Sequence, residues 1–226
     1  ASDRQIAEHQ NLFKEFFKTF GSFFRRKDIG LIISFLLLYR LGESQIVKMA
    51  SPFMLDSRQL GGLGLTTGQV GLIYGTFGIL ALTTGGILGG IAAAKKGLKY
   101  WIWLMALTIN IPHLTYVYMS YFQPESQLII GLCVVIEQFS YGFGFTAYML
   151  YMIYVSEGKH KTAHFSITTG FMALSMMLPG MFSGWLQDII GYQHFFVWVI
   201  LCMIPGLIPV FFVKIAPEFG IKKKTD

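Results

Sequence analysis

The sequence predicts an all-α membrane protein that crosses the bilayer six times, and three observations support this. Hydrophobic residues make up 54% of the 226 residues, charged residues make up 13%, and the mean hydropathy is +0.55. A soluble domain usually carries about 25% charged residues. Six apolar runs each reach the roughly 20 residues needed to cross about 30 Å of hydrocarbon. Basic residues cluster at the ends of these runs. The runs are too long to be strands of a β-barrel, so each of them predicts a membrane-spanning helix.

The net charge of +6 does not indicate a nucleic-acid partner. The basic residues flank apolar runs and form no stripe interleaved with polar contacts, so membrane lipids are the expected surroundings. Cys133 and Cys202 both lie inside apolar runs, where cysteine acts as a small packing residue, and a disulfide framework is not expected.

Residues 1–28 predict an amphipathic helix with an aromatic face. Its apolar positions recur at spacings of three and four: Leu12, Phe13, Phe16, Phe17, Phe20, Phe23 and Phe24. The segment is too charged to span a bilayer and suits a linker helix in the membrane interface. A soluble helix packed on a core is the alternative.

The six spans are placed near 29–55, 67–94, 98–121, 127–154, 163–186 and 193–213. Fifteen of the 18 Lys and Arg residues precede the first span, follow the second or fourth, or lie in the basic tail 214–226. The positive-inside rule therefore puts both termini in the cytoplasm.

The second span is rich in glycine at four-residue spacing. The pairs are Gly71 with Gly75, Gly85 with Gly89, and Gly86 with Gly90. Glycine lets helix backbones approach closely, so these positions predict helix packing. The contact could be static, or it could be a surface against which another helix moves.

Arg40 and Glu43 interrupt the first apolar run. Arg40 lies 11 residues after Ile29, which is about 16 Å along a helix and near the bilayer midplane, and Glu43 follows one turn later. Two such residues can pair with each other as a structural ion pair. Ionisable residues inside a membrane are more often functional, and both interpretations stay open at this stage.

Glu137 lies about 15 Å into the fourth span, at nearly the depth of Arg40. It begins the run "EQFSYGFGF", in which Gln138 and Tyr141 offer hydrogen bonds and the glycines leave room for a solute. A carboxylate at this depth could carry a proton. His113 follows Asn110 and Pro112 in the third span, and a lone histidine there is expected to be a hydrogen-bonded structural residue.

Signatures of enzymes, cofactor sites and metal sites are weak. His160 and His164 stand four residues apart but have no evident third ligand, so no metal is predicted. Ser183 in "GMFSGW" has no convincing histidine and carboxylate partners. No nucleotide-binding fingerprint occurs, and no cofactor is expected.

The loop after the second span, "GIAAAKKGLK" at residues 90–99, is similar to the cytoplasmic motif G-x-x-x-D-R-x-G-R-K of the major facilitator superfamily. The matching residues are Gly90, Lys95, Gly97 and Lys99. The motif's acidic position is Ala94 and one of its basic positions is Leu98, so its usual salt bridge is not expected. With six helices and both ends inside, the chain resembles the C-terminal half of such a transporter.

Within that superfamily the chain most resembles the AmpG-type muropeptide permeases over about residues 25–215. The similar segments are "LLYRLGES", "TTGQVGLIYGTFGILALTTGGILGGI", "EQFSYGFGFTAYMLYM" and "AHFSITTGFMALSMMLPGMFSGWLQ". The resemblance implies proton-coupled uptake of anhydro-muramyl cell-wall fragments across a bacterial inner membrane.

Under this interpretation Arg40, Gln138 and Tyr141 bind the small-molecule substrate, and Glu43 and Glu137 couple transport to protons. An N-terminal six-helix half encoded upstream is the expected partner. Three alternatives stay open: a carrier for another organic solute, a membrane-embedded enzyme using Glu137 and His113, and a non-transporting scaffold.

Overall fold

The computed structural model describes residues 18–222, and no strand occurs among them. The helices are α1 (residues 18–24), α2 (Ile29–Leu38), α3 (Leu41–Leu55), α4 (Thr67–Val70), α5 (Ile79–Lys96), α6 (Leu98–Asn110), α7 (Leu114–Phe122), α8 (Gln127–Ser156) and α9 (Lys161–Phe212). A π-helical segment, Gly71–Gly78, joins α4 to α5. The all-α fold class is confirmed. Most of the predicted linker helix 1–28 lies outside the described residues.

Four helical stretches in the described range are long and apolar enough to cross a membrane. They are Ile29–Leu55, Thr67–Lys96, Gln127–Ser156 and Lys161–Phe212. The predicted third span, 98–121, is divided between α6 and α7, each shorter than a full crossing. The 52-residue α9 contains both the predicted fifth and sixth spans. The count of six crossings stays a prediction.

Gly191 interrupts α9 where the sequence predicts a turn. Its φ of +73° lies in the left-handed region, which glycine adopts without the steric cost that other residues meet. The helical geometry therefore stops at this residue and resumes after it.

The buried apolar residues form two separate clusters. One is built around Phe35, Tyr148 and Ile102, and the other around Phe53, Tyr116 and Phe196. Each cluster draws on helices that are far apart in sequence. Buried polar residues lie in the chain between the two sets, namely Arg40, Glu43, Ser44, Gln45, Asn110, His113, Glu137, Gln138 and Ser140.

Two tyrosines connect the first helical stretch to α8. The Tyr39 hydroxyl donates to the Gly144 carbonyl at 2.9 Å, and the Tyr148 hydroxyl donates to the Leu36 carbonyl at 2.7 Å. Both tyrosines are buried, so these bonds satisfy hydroxyl groups that would otherwise be costly in an apolar core.

Helices α5 and α8 approach closely at glycines. A Cβ at Gly85 would collide with the Phe139 carbonyl oxygen, and one at Gly89 would lie 2.6 Å from Thr146 Oγ1. Gly142 of α8 meets α5 in the same way. These glycines therefore bring α8, which carries Glu137, against the second helical stretch.

Gly71 and Gly75 differ from the expected packing glycines. A Cβ at either position would meet nothing within 4 Å among the described residues, and both positions are exposed. Within this part of the chain the close packing occurs at Gly85 and Gly89 and does not extend to Gly71 and Gly75.

This difference predicts unequal effects of adding one methyl group. Gly85→Ala should lower the free energy of unfolding by about 1–3 kcal/mol or more, because the backbone of α8 would have to move. Gly75→Ala, in the same helical stretch but in open space, should not lower it, because the added methyl group meets no described neighbour and alanine has a higher helix propensity than glycine. The midpoint of thermal unfolding in detergent measures both. Equal midpoints for the two variants would show that the close approach is absent.

Candidate functional site

A buried contact between Glu43 and His113 joins α3 to the 3₁₀ turn Ile111–His113, which lies between α6 and α7. Glu43 Oε2 lies 3.1 Å from His113 Nε2, and each residue is 1% exposed. Either group can donate the proton of this hydrogen bond, since an imidazole nitrogen can be a donor or an acceptor and so can a carboxyl group. The contact becomes an ion pair when the imidazole carries the additional proton.

Glu137 completes a cluster with these two residues. Its Oε2 accepts a hydrogen bond from Gln138 Nε2 at 2.9 Å, and one of its carboxyl oxygens lies within 4.8 Å of a carboxyl oxygen of Glu43. Each of Glu43, His113 and Glu137 offers one atom that could bind a metal ion, and these three atoms lie within 4.8 Å of one another. These three residues are called the buried triad below.

Two interruptions of helix geometry place the triad residues. The first helical stretch breaks at Arg40, which has φ −109° and ψ 20°, so that Glu43 lies in the first turn of α3. The N-terminal turn of a helix favours negative charge. Between α6 and α7 the chain passes through a 3₁₀ turn, Ile111–His113, which contains Pro112. Proline has no N–H to donate, so the α-helix cannot continue regularly through this point.

Arg40 is enclosed by aromatic rings and is 3% exposed. Its guanidinium donates to the Tyr141 hydroxyl and lies 4.4 Å from the ring centre of Phe145 and 5.7 Å from that of Tyr148. Arginine held over aromatic faces in a desolvated site is stabilised by cation–π attraction.

The structural ion pair between Arg40 and Glu43 is not formed. Among residues 18–222 the only two pairs at salt-bridge distance are His113 with Glu43 and Lys214 with Asp28. Arg40 turns towards the aromatic rings of α8, while Glu43 turns towards His113. The break in the helix at Arg40 separates the directions in which the two side chains leave the backbone.

Several buried polar atoms in this region have no hydrogen-bond partner among the described residues. They are Arg40 Nε, Glu43 Oε1, His113 Nδ1, Tyr116 Oη and Glu137 Oε1. Buried polar atoms in folded proteins are almost always paired, and those that are not often mark functional sites. These side-chain atoms around the triad could therefore form further hydrogen bonds, for example to a bound solute.

All five sequence-predicted substrate and proton residues lie in this region. Gln138 bonds Glu137, Tyr141 bonds Arg40, and Tyr141 lies within electrostatic reach of Glu43 as well. His113 is the residue that sequence reasoning undervalued. Its distance in sequence from any carboxylate hid the contact, and the available signal was its position directly after the helix-breaking Pro112.

Tyr116 is a second residue that the sequence did not single out. It is fully buried, its hydroxyl has no partner among the described residues, and Glu137 and Glu43 lie within electrostatic reach of it. It follows His113 by three residues, which is nearly one helical turn, and this spacing was the signal that could have revealed it.

No metal or cofactor was expected from the sequence. Among the described residues, the triad is the one group of three side chains whose potential metal-ligand atoms are close enough together to bind a small cation. The same geometry suits a shared proton, because two neighbouring carboxyl groups are stabilised by a proton between them.

His160 and His164 lie at the N-terminal end of α9, where His164 takes part in a group of polar contacts. Arg26 lies 2.8 Å from His164 Nδ1, and arginine can only donate, so Nδ1 accepts and the ring is neutral. His164 Nε2 then donates to Ser22 Oγ at 2.9 Å. Partial burial lowers the pKa of the Arg26 guanidinium, which also donates to the carbonyls of Val155 and Glu157.

The loop resembling the cytoplasmic motif is held by the C-terminal tail. Gly97 has φ +79°, and a Cβ there would lie 2.8 Å from the Pro217 carbonyl oxygen. The backbone N–H of Leu98 donates to Phe219, and that of Lys222 donates to Ala94. Lys95, Lys99 and Gly90 are exposed. Ala94, at the motif's acidic position, contributes a backbone carbonyl and no charge.

A groove of about 720 Å³ lies apart from the triad, between α1 and the beginning of α9. Its lining is mostly apolar and includes Phe24, Ile167 and Phe171. The groove contains none of the predicted substrate or proton residues.

The chain is similar to AmpG-type transporters. It is 26% identical over 221 residues to a protein of Rickettsia prowazekii (strain Madrid E) named "Putative transporter AmpG 1", covering 92% of this chain and 48% of that protein. It is also 26% identical to the similarly named AmpG 2 of Rickettsia typhi, covering 93% of this chain and 49% of the relative. An AmpG 4 of Rickettsia felis is 24% identical over 83% of this chain. No protein-family model matches the chain.

These relatives confirm the resemblance predicted from the sequence and support a role in transport. The chain spans about half the length of the curated relatives that it matches. Together with the four long apolar helical stretches, the similarity indicates a multi-pass membrane protein.

The contacts of Glu43 predict which residue it is energetically coupled to. A double-mutant cycle with Glu43→Gln and His113→Ala should give a coupling energy of about 1–3 kcal/mol, as expected for buried residues in direct contact. The matched cycle with Glu43→Gln and Arg40→Leu should give a smaller coupling energy, because the structure shows no direct ion pair between them and only the longer-range attraction of the two charges remains. Thermal unfolding in detergent supplies the values. Stronger coupling to Arg40 would restore the ion-pair interpretation.

Proposed function

We propose that this chain is one half of a secondary transporter that couples proton movement to the uptake of muropeptides. The observation that carries the proposal is the buried triad beside the enclosed Arg40, within helices apolar enough to cross a membrane. Similarity to proteins named as AmpG transporters supports the same conclusion.

The cost of these residues argues that they serve a function. A charged side chain at the centre of a membrane helix costs about 2.5–3.5 kcal/mol on insertion scales. Arg40 has no carboxylate partner in the described structure, so its charge is not offset by an ion pair there. Apolar residues of similar size would pack these positions at lower cost, which favours a role in binding a charged solute and protons.

Each residue has a distinct role in the proposal. Anhydro-muramyl peptides carry carboxylates, and the guanidinium of Arg40 offers the charge and the planar geometry that bind a carboxylate. Such a group would replace the Tyr141 hydroxyl as the partner of Arg40, with Gln138 supplying a further hydrogen bond. Glu43 and Glu137 hold protons that accompany the solute.

The transport path in this architecture lies between two bundles that rock against each other, with the site near the midplane. This chain would supply one wall, and an N-terminal six-helix bundle would supply the other. Both termini would lie in the cytoplasm, and the protein would reside in the bacterial inner membrane. The open faces of Gly71 and Gly75 suit contact with the second bundle.

Proton coupling predicts a specific loss of uptake. In proteoliposomes containing the complete transporter, Glu137→Gln should reduce accumulation of labelled muropeptide under an inward proton gradient at least tenfold, because the amide cannot carry a proton. Glu125→Gln, an exposed carboxylate two residues before α8, should leave uptake unchanged. A protonophore should abolish accumulation by the wild type.

Chelators separate a proton from a metal in the triad. Uptake should persist in EDTA, and its loss there would point to a bound cation. Accumulation that survives both the protonophore and Glu137→Gln would contradict proton coupling. Chemical turnover of the muropeptide in detergent, without any gradient, would instead favour the membrane-embedded enzyme.

Dependence on a second bundle is a separate prediction. Residues 1–226 alone in proteoliposomes should show no uptake above empty vesicles, because one wall cannot enclose a path. Co-reconstitution with an AmpG-type N-terminal bundle should restore uptake. Strong accumulation by the 226-residue chain alone would contradict the half-transporter proposal.

A further inference from the structure

We propose that His113 holds a proton during transport, so that a proton moves between Glu137 and His113 through Glu43. This inference rests on the proposed proton-coupled function and adds a third proton position to the two carboxylates. It assigns to His113 a role that the sequence alone favours as merely structural.

The geometry puts Glu43 between the other two groups. One oxygen, Oε2, meets His113 Nε2 at 3.1 Å, while Oε1 has no partner among the described residues. On the other side Glu137 Oε1 also has no partner among the described residues, and a carboxyl oxygen of Glu137 lies within 4.8 Å of one of Glu43. A proton on Glu137 can therefore pass to Glu43, and one on Glu43 can pass to His113.

The second transfer balances within the existing hydrogen bond. The O–H bond of a protonated Glu43 breaks, its proton bonds the lone pair of His113 Nε2, and a carboxylate beside an imidazolium results. Before the transfer the ring carries its proton on Nδ1, which lies against Gly42 and has no described partner. No oxidant, leaving group or further reactant is needed.

The charge of the enclosed region explains why three positions are useful. Arg40 is always protonated, so Arg40 with a fully deprotonated triad carries a net charge of −1. One proton on any triad residue makes the region neutral, which a buried site strongly favours. The proton can therefore move between Glu137 and His113 without changing the net charge inside the bundle.

Binding of an anion at Arg40 would return the region to −1. Neutrality then requires a second proton, and His113 can accept it while Glu43 stays ionised as its partner. The first turn of α3 favours that ionised state of Glu43. One additional proton should thus be taken up for each negative charge bound, which links solute charge to proton stoichiometry.

Other groups around the triad do not supply an equally direct position. Tyr116 from α7, Tyr74 from the π-helical segment and Tyr141 from α8 lie within electrostatic reach of the carboxylates. Phenols release and accept protons far from neutral pH, so they suit hydrogen bonding more than proton storage. The chain presents Val199 and Cys202 from α9 near this region, and neither carries a charge at neutral pH.

The test is His113→Gln in the complete transporter, because the glutamine amide can approach the position of Nε2 and still donate to Glu43. Gradient-driven accumulation of anhydro-muropeptide should fall at least tenfold, while exchange of labelled for unlabelled muropeptide should fall less than threefold. Proton uptake on ligand binding, followed with a pH indicator in weak buffer, should drop by one proton per bound anion. His194→Gln, outside the triad, is the matched control.

Wild-type behaviour separates failure of this inference from failure of the proposed function. Wild type without gradient-driven uptake would overturn the proposed function and this inference with it. Gradient-driven uptake in wild type, with His113→Gln indistinguishable from it in accumulation and proton stoichiometry, would overturn the inference alone. If His113→Gln does not fold, His113→Asn places a smaller neutral amide at the same position, leaves Glu43 unchanged and should show the same loss of one proton. An unchanged stoichiometry in that variant would equally overturn the role of His113.

Discussion

The contact between Glu43 and His113 is the interaction on which the interior of this protein depends. It places ionisable groups between two apolar clusters, where every unpaired charge is costly. Removing either partner would leave the other without its hydrogen bond in a site that excludes water. The contact therefore fixes α3 against the 3₁₀ turn between α6 and α7, and α8 brings Glu137 to the same point.

The path of the backbone makes this arrangement possible. A continuous first helix would direct Arg40 and Glu43 to adjacent positions one turn apart, where they could pair. The break at Arg40 directs the guanidinium to the aromatic rings of α8 and the carboxylate to His113. Interrupted helices near the midplane are a recurring feature of transporter sites, because irregular backbone is tolerated where it lines a polar region.

Glycine at the α5–α8 contact has an equally direct consequence for the site. Gly85, Gly89 and Gly142 let the two backbones approach without side chains between them. Since Glu137 lies on α8, its distance from Glu43 depends on how α8 is seated against its neighbours. The open glycines Gly71 and Gly75 belong to the π-helical segment, and π-helical turns occur frequently at functional sites. The same helical stretch thus combines a closely packed face at Gly85 and Gly89 with positions, Gly71 and Gly75, where an added Cβ would meet no other described residue.

The sequence by itself determined the all-α class, the long apolar stretches and the resemblance to AmpG-type transporters, and it predicted a similar depth for Arg40, Glu43 and Glu137. These follow from hydropathy, from the rise per residue of a helix and from local motifs, all of which are properties of one segment at a time. The tertiary structure decided which residues meet. It separated Arg40 from Glu43 and paired Glu43 with His113. It also packed α8 against Gly85, while no described residue packs against Gly75. The physical reason is that helical periodicity gives the depth and face of a residue, whereas its partner depends on helix breaks and on the packing of segments about 70 to 95 residues apart, which no local pattern encodes.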